Sequence, residues 1–200
     1  MITIRNIDPS EPYLRFKKYY EDAVSKNQPQ PEAMAVSSYD IRSKEVDCRF
    51  VNLKYILEDE WIFFSNYNSQ KSKHFKTHDQ ISCTFYWQKI DTQIRLKSKI
   101  YLTSTNFSDT HFDSRSWEKN ALSISSQQSK EIDSYQEILE NYKYVYENKK
   151  NVKKRPKYWG GYSFKPYYFE YWQGHESRIN NRECFSLSDD DTWSKYILQP

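Results

Sequence analysis

Glycine is almost missing from this chain, with three residues in 200, where an average soluble protein carries about 7%. Turns therefore fall to Asn, Asp, Ser and Pro, and Gly160, Gly161 and Gly174 are expected where a side chain has no room. Cysteine is scarce and odd in number. Cys48, Cys83 and Cys184 lie far apart, which excludes a disulfide framework and a paired zinc-knuckle spacing and predicts buried free thiols. His74 and His78 would share a helix face, but no HExxH glutamate and no third ligand accompany them, so no metal is expected. No apolar run nears the ~20 residues of a membrane span, and MITIRNIDPS has no signal-peptide apolar core. The chain is read as cytoplasmic, without a membrane partner. A dominant charge sign is also lacking: 30 bases against 27 acids give a net +3, too balanced to announce nucleic acid.

Aromatic residues fill the space left by these absences. Six Trp, 18 Tyr and 11 Phe supply large buried areas to a chain whose apolar share is only 37%. A chain of this length suits one domain over residues 1–200, burying roughly 70% of its unfolded surface. Residues 10–26 place Tyr13, Phe16, Tyr20 and Ala23 on one helical stripe. Strand patterns follow at AMAVSSY, VDCRFVNLK, WIFFS and ISCTFYW. In QIRLKSKIYL, Ile94, Leu96, Ile100 and Leu102 alternate with Arg95, Lys97 and Lys99, as in a half-buried strand. Between Lys130 and Lys149, Ile132, Tyr135, Leu139, Tyr142 and Tyr146 recur at helical spacing and are expected to pack in the core. The run KKNVKKRPK that follows reads as a solvated connector, with polyanion contact as the alternative. The pattern predicts a mostly antiparallel β arrangement with peripheral helices, fitting an α+β or barrel architecture.

Two stretches carry candidate chemistry. Arg49 and Lys54 are five residues apart on one strand, so they are expected on opposite faces, serving two anions or one site wrapped around the strand end. In FFSNYNSQKSK, Ser65, Ser69, Gln70 and Lys71 occupy a strand-to-helix passage. A helix N-terminus there suits phosphate, although helix caps use the same residues for structural reasons.

The stretch YWGGYSFKPYYFEYWQGHESRINNR joins WGG, EYWQG and the Arg178-x-x-x-Arg182 spacing. With the R-x-V-x-L-K strand at Arg49 to Lys54, S-x-K at Ser69 to Lys71, Gln93, Ser114–Arg115 and SxQS at Ser126 to Ser129, the chain resembles the pyridoxamine 5'-phosphate oxidase family over nearly its whole length. The resemblance implies an FMN-binding split β-barrel homodimer, with residues 158–200 as its C-terminal dimerisation and active-site region. It implies that Arg49, Phe64, Ser65, Gln70, Lys71, Gln128 and Ser129 hold the phosphate and ribityl end of FMN. Gln93, Trp172 and Arg182 would lie near the isoalloxazine. Lys54, His111, Arg115 and Lys119 would grip the substrate phosphate, and Arg178 and Asn180 would be catalytic at the substrate ring. The glycines are expected to turn the chain into and out of YYFEYWQ so that Arg178 and Arg182 reach the flavin pocket.

The implied reaction oxidises pyridoxamine or pyridoxine 5'-phosphate to pyridoxal 5'-phosphate, with O2 as acceptor and H2O2 as product. Four positions depart from the family pattern. His111 stands for the usual Tyr, Lys119 for Ser, Asn180 for His and Gln70 for Arg. An amide neither carries a proton nor a charge at neutral pH, and Gln70 removes a charge-assisted phosphate contact. Two alternatives stay open beside the oxidase: a related flavin oxidoreductase acting on another small molecule, of the phenazine-pathway kind, and a non-catalytic binder of FMN or a B6 phosphate. Nucleic acid is not an expected partner.

Overall fold

The structure is a computed structural model that describes residues 1–148 and 154–200; Lys149 to Lys153 of the basic run lie outside the described residues. The chain runs β1 (Thr3–Arg5), α1 (Glu11–Ser25), β2 (Ala33–Asp40), β3 (Glu45–Leu57), β4 (Glu60–Asn66), α2 (Gln70–Thr77), β5 (Gln80–Trp87) and β6 (Thr92–Leu102). It continues through α3 (Thr105–Ser114), α4 (Trp117–Ser125), α5 (Tyr135–Glu147), β7 (Trp159–Gln173), β8 (Asn181–Leu187) and β9 (Trp193–Leu198). The strands pair in the order β1-β3-β2-β5-β6-β7-β8-β9, and β4 pairs with both β3 and β7. The pairings of β3, β2, β5, β6, β7 and β4 thus close a circuit, and β8 and β9 extend from β7. Apart from the parallel β1–β3 contact, every pairing is antiparallel.

The aromatic surplus forms the core. α1 begins with Pro12 in its first turn, where the missing N–H costs nothing, and turns Tyr13, Phe16, Tyr20 and Ala23 inward. Phe16 packs edge-on to Trp61 at 4.3 Å and to Phe85 at 5.3 Å between ring centroids. The polar tips of buried rings find backbone acceptors: Tyr171 Oη donates to Pro12 O at 2.6 Å and Trp87 Nε1 to Pro31 O at 3.0 Å.

Several expectations need correction. In β6 the alternation buries Ile94, Leu96, Ser98 and Ile100, but Leu102 is exposed because the strand ends at the margin of the core. α5 buries none of its residues; it packs on α4 rather than on the sheet, leaving Tyr135, Leu139 and Tyr146 exposed. Cys83 and Cys184 are buried, whereas Cys48 is exposed on β3. His74 is buried with Nδ1 3.0 Å from Ser38 Oγ, and among the described residues no three His, Cys, Asp or Glu side chains group as for a metal. Arg155, within the basic run, is pinned rather than solvated, donating to Asp109 Oδ1 at 2.7 Å.

The glycines make no turn into the strand. Gly160 and Gly161 lie inside the 15-residue β7, and none of the three has a positive φ. They are needed for close approach. A Cβ on Gly160 would sit 2.1 Å from Tyr67 Oη, and one on Gly161 2.5 Å from Thr103 Oγ1. Left-handed turns are made instead by Asn6, Asn27 and Asp91 among others, as the glycine shortage requires.

Candidate active site

Several segments converge on one cleft of about 700 Å³, within the range of small-molecule sites. β3 contributes Arg49 and Lys54, and Phe50, Val51 and Asn52 between them line the same cleft, so residues of both strand faces border it. The pairing of β3 with β4 shifts register between Leu53 and Tyr55, which places Lys54 at a bulge bordering the cleft. β4 adds Phe64 and Ser65, α2 adds Lys71, and the α3–α4 corner adds His111, Arg115 and Lys119; Gln128 closes the far side.

The geometry at Lys71 carries the most information. This side chain belongs to a residue only 5% exposed, yet its Nζ meets two neutral hydroxyls, Ser65 Oγ at 3.0 Å and Ser69 Oγ at 3.2 Å. Burial, and then the neighbouring Arg49, push its pKa down to about 8. Ser69 stands at the N-cap of α2 but does not cap it; its hydroxyl serves Lys71 and Ser72 instead. Arg49 is fixed by donating to Val36 O at 3.2 Å and Ser38 Oγ at 2.7 Å and by an ion pair with Asp47.

The other end of the cleft is equally cationic. Lys54 is lowered by burial, with Lys119 and Arg115 adding to it and Glu32 opposing. Arg115 is lowered to about 10 by burial; it donates to Ser123 Oγ at 3.0 Å and Lys119 O at 2.9 Å, with its guanidinium 4.3 Å above the Trp159 ring. His111 is pushed down to about 4, by burial first and then by Arg115, Lys54 and Lys119. Among the described residues five Lys or Arg side chains line this cleft and no carboxylate does. A larger cleft, of about 1040 Å³, is lined by five aspartates including Asp59 and Asp189 against two lysines, the wrong sign for phosphate.

Expected site residues thus divide into two groups. Arg49, Lys54, Phe64, Ser65, Lys71, His111, Arg115, Lys119 and Gln128 share the cleft. Gln70, Gln93, Ser129, Trp172, Arg178, Asn180 and Arg182 do not line it. Gln70 is exposed at the start of α2, and Ser129, at φ 69°, borders a separate cleft beside α5. Gln93, Trp172 and Arg182 form one row across β6, β7 and β8. Arg182 donates from Nε and Nη2 to Glu170 Oε1 at 3.0 and 2.8 Å. Arg178 and Asn180 belong to the loop between β7 and β8. Arg178 is in the left-handed region with its N–H on His175 O, and Asn180 Oδ1 accepts from His175 N. The glycines therefore do not deliver Arg178 and Arg182 to this cleft within one chain.

Sequence reasoning missed Phe50, Asn52, Ser116 and Trp159 as lining residues. Trp159 had a signal in WGG, where the glycines drew the attention. Its ring is nearly parallel to that of Phe64, 5.3 Å away, and Phe64 in turn stacks on His111 at 3.6 Å. These rings form a flat wall along one side of the cations. Phe64 is in register with Gly161, whose absent side chain leaves the ring its space.

This sheet-dominated α+β fold is shared with solved proteins. The chain superposes on PhzG from Burkholderia lata 383, solved in complex with tetrahydrophenazine-1-carboxylic acid, with a TM-score of 0.88 at 23% identity, covering 96% of this chain and 94% of the other. It superposes on a pyridoxamine 5'-phosphate oxidase-related, FMN binding protein from Nostoc punctiforme PCC 73102 with a TM-score of 0.74 at 11% identity, covering 92% and 97%. These likenesses define the fold. Residues 159–200 match the model of the pyridoxine 5'-phosphate oxidase C-terminal dimerisation region. The pyridoxine/pyridoxamine 5'-phosphate oxidase of Nostoc sp. strain PCC 7120 is 32% identical over 198 residues, covering 97% of this chain and 90% of the relative. That of Cytophaga hutchinsonii is 33% identical over 199 residues, covering 98% and 91%. The chain belongs to the pyridoxine/pyridoxamine 5'-phosphate oxidase family and is an oxidoreductase of that kind.

Proposed function

We propose that the protein binds FMN and oxidises pyridoxamine or pyridoxine 5'-phosphate to pyridoxal 5'-phosphate. The observation that carries this reading is the cleft with five cations and no carboxylate, in which the buried Lys71 ammonium has only hydroxyl partners. A buried ammonium without a counter-ion is costly, and an anion bound beside it offsets that cost. The residues present therefore fit a flavin phosphate. Arg49, Ser65, Lys71 and Gln128 would hold that phosphate and its ribityl chain, while Lys54, Arg115 and Lys119 would hold the phosphate of the substrate. When bound, FMN supplies the two-electron acceptor for the oxidation, with O2 as final oxidant and H2O2 as product. Phe64 and Trp159 give the cleft a flat apolar wall that excludes water from one side.

The two separated groups of residues support a homodimer as the working form. In this reading the row of Gln93, Trp172 and Arg182, with the loop carrying Arg178 and Asn180, completes the cleft of a second copy, and the closed strand circuit is the split barrel that seats it. Gln70 and Ser129 flank the site at its phosphate end. Asn180 in place of histidine leaves Arg178 as the remaining cationic group of that loop motif, so the reaction is expected without an ionisable partner at position 180.

The test is anaerobic mixing of FMN-loaded protein with pyridoxamine 5'-phosphate, followed by flavin absorbance. Bleaching is the predicted result. A loaded protein that stays yellow at saturating ligand would contradict the oxidase reading and leave an oxidoreductase of another small molecule or a binder.

A further inference from the structure

Tyr55 follows the bulged Lys54 on β3 and points its hydroxyl at the ring of His111, with Oη 2.8 Å from Nδ1. Two rings hold His111 in place: Phe64 stacks on it at 3.6 Å and 13°, and Tyr55 meets it edge-on at 5.4 Å. Phe107, on the same helix, packs edge-on against Tyr55 at 5.4 Å and closes the cluster. A neutral imidazole offers one acceptor and one donor nitrogen, and a phenol is the stronger donor of the pair. Among the described residues Tyr55 Oη bonds His111 Nδ1 alone, and the contact fits either direction of donation; with the phenol as donor, Nε2 carries the imidazole proton.

We propose that Tyr55 is a positioning residue for the phosphate end of the cleft: by donating to Nδ1 it fixes His111 as the Nε2–H tautomer, a neutral donor to the phosphate of a bound ligand. This rests on the phosphate reading given above. The charged groups facing His111 are Lys54 from β3, Arg115 from the α3–α4 corner and Lys119 from α4, all positive, and no carboxylate lines the cleft. Beside three cations a fourth charge would cost more than it contributes before the ligand arrives. A neutral N–H adds a hydrogen bond without that repulsion. It also gives direction, since the stacked and edge-on rings leave the imidazole a single orientation.

The experiment reads the tautomer directly. Nitrogen-15 NMR of the labelled, ligand-free protein, with His111 assigned by its loss in His111→Gln, should show Nε2 protonated and Nδ1 bare from pH 8 down to 5.5. In Tyr55→Phe the two tautomers should mix. Affinity of the FMN-loaded protein for pyridoxal 5'-phosphate should fall roughly three- to ten-fold in Tyr55→Phe, the scale of one directed hydrogen bond, with FMN affinity unchanged. His111→Gln, which keeps a neutral donor, should retain more affinity than His111→Phe. An Nδ1–H tautomer in the wild type, or a Tyr55→Phe protein with the wild-type tautomer and affinity, would overturn the inference. Failure of the wild type to bind pyridoxal 5'-phosphate would instead refute the phosphate reading, and it would be seen before any variant is made.

Discussion

Replacing Lys71 with Met should stabilise the ligand-free protein while weakening its hold on FMN. The ammonium is buried with only Ser65 and Ser69 to receive its protons, and its pKa falls from 10.5 to about 8. At ~1.36 kcal/mol per pH unit this depression corresponds to about 3 kcal/mol of destabilisation when the amine is charged. Met fills a similar volume without the charge, though it leaves two hydroxyls without their donor, which discounts the gain to ~1–2 kcal/mol. For a domain of this size that is a rise in Tm of about 2–8 °C. The sign also fixes a pH dependence. Between about 8 and 10.5 the unfolded chain binds a proton at this lysine that the folded chain does not, so the wild-type contribution to stability rises with pH across that window. The advantage of Lys71→Met should therefore be full at pH 7 and shrink toward pH 10. FMN affinity should drop by about ten- to hundred-fold, the worth of one charge-assisted contact. Thermal melts of flavin-free protein at pH 7 and pH 10, paired with FMN fluorescence titrations, measure all three. A Lys71→Met protein that melts lower than wild type and binds FMN normally would refute the reasoning.

Arg115→Ala should weaken pyridoxal 5'-phosphate binding by about ten-fold or more while changing FMN affinity little, because its guanidinium stands over Trp159 at the end of the cleft away from Lys71; equal losses in a pair of titrations would put it in the wrong subsite. Gly160→Val should be the most damaging glycine substitution, at ~2 kcal/mol or more by chemical denaturation, since from β7 its side chain would meet both Tyr67 and Ser108 of α3. Gly174→Val should cost less, because Asp91 on the adjoining turn can swing its carboxylate aside; the reverse order would show that β7 yields and the turn does not.

Much of the fold was legible because side-chain period and backbone agree there. Tyr13, Phe16, Tyr20 and Ala23 mark α1, and Ile94, Leu96 and Ile100 mark β6, since each stripe faces the core. The same argument failed for α5. Its stripe of Tyr135, Leu139, Tyr142 and Tyr146 is as regular as that of α1, but periodicity reports that a face is apolar and not what covers it. Arg49 and Lys54 show a limit of strand alternation: residues of both parities border one cleft, and the bulge at Lys54 has no glycine or proline to announce it. Ser65, Lys71, Arg115 and Gln128 were named from motifs in separate segments, and the circuit of strands brings them to one cleft. Trp172 and Arg182 could be placed beside each other by register, yet their relation to the cleft lies beyond what one chain displays. Trp159 and Tyr55 escaped notice because an aromatic in a chain this rich in aromatics carries little information until its neighbours are known.

The most direct measurement is a crystal structure of the protein grown with FMN. The account predicts the flavin phosphate against Arg49 and Lys71, with Ser65 and Gln128 beside it and the ring reaching toward Trp172 and Arg182 of a second copy. Flavin bound elsewhere, or a cleft between Arg49 and Lys71 that stays empty at saturating FMN, would contradict it.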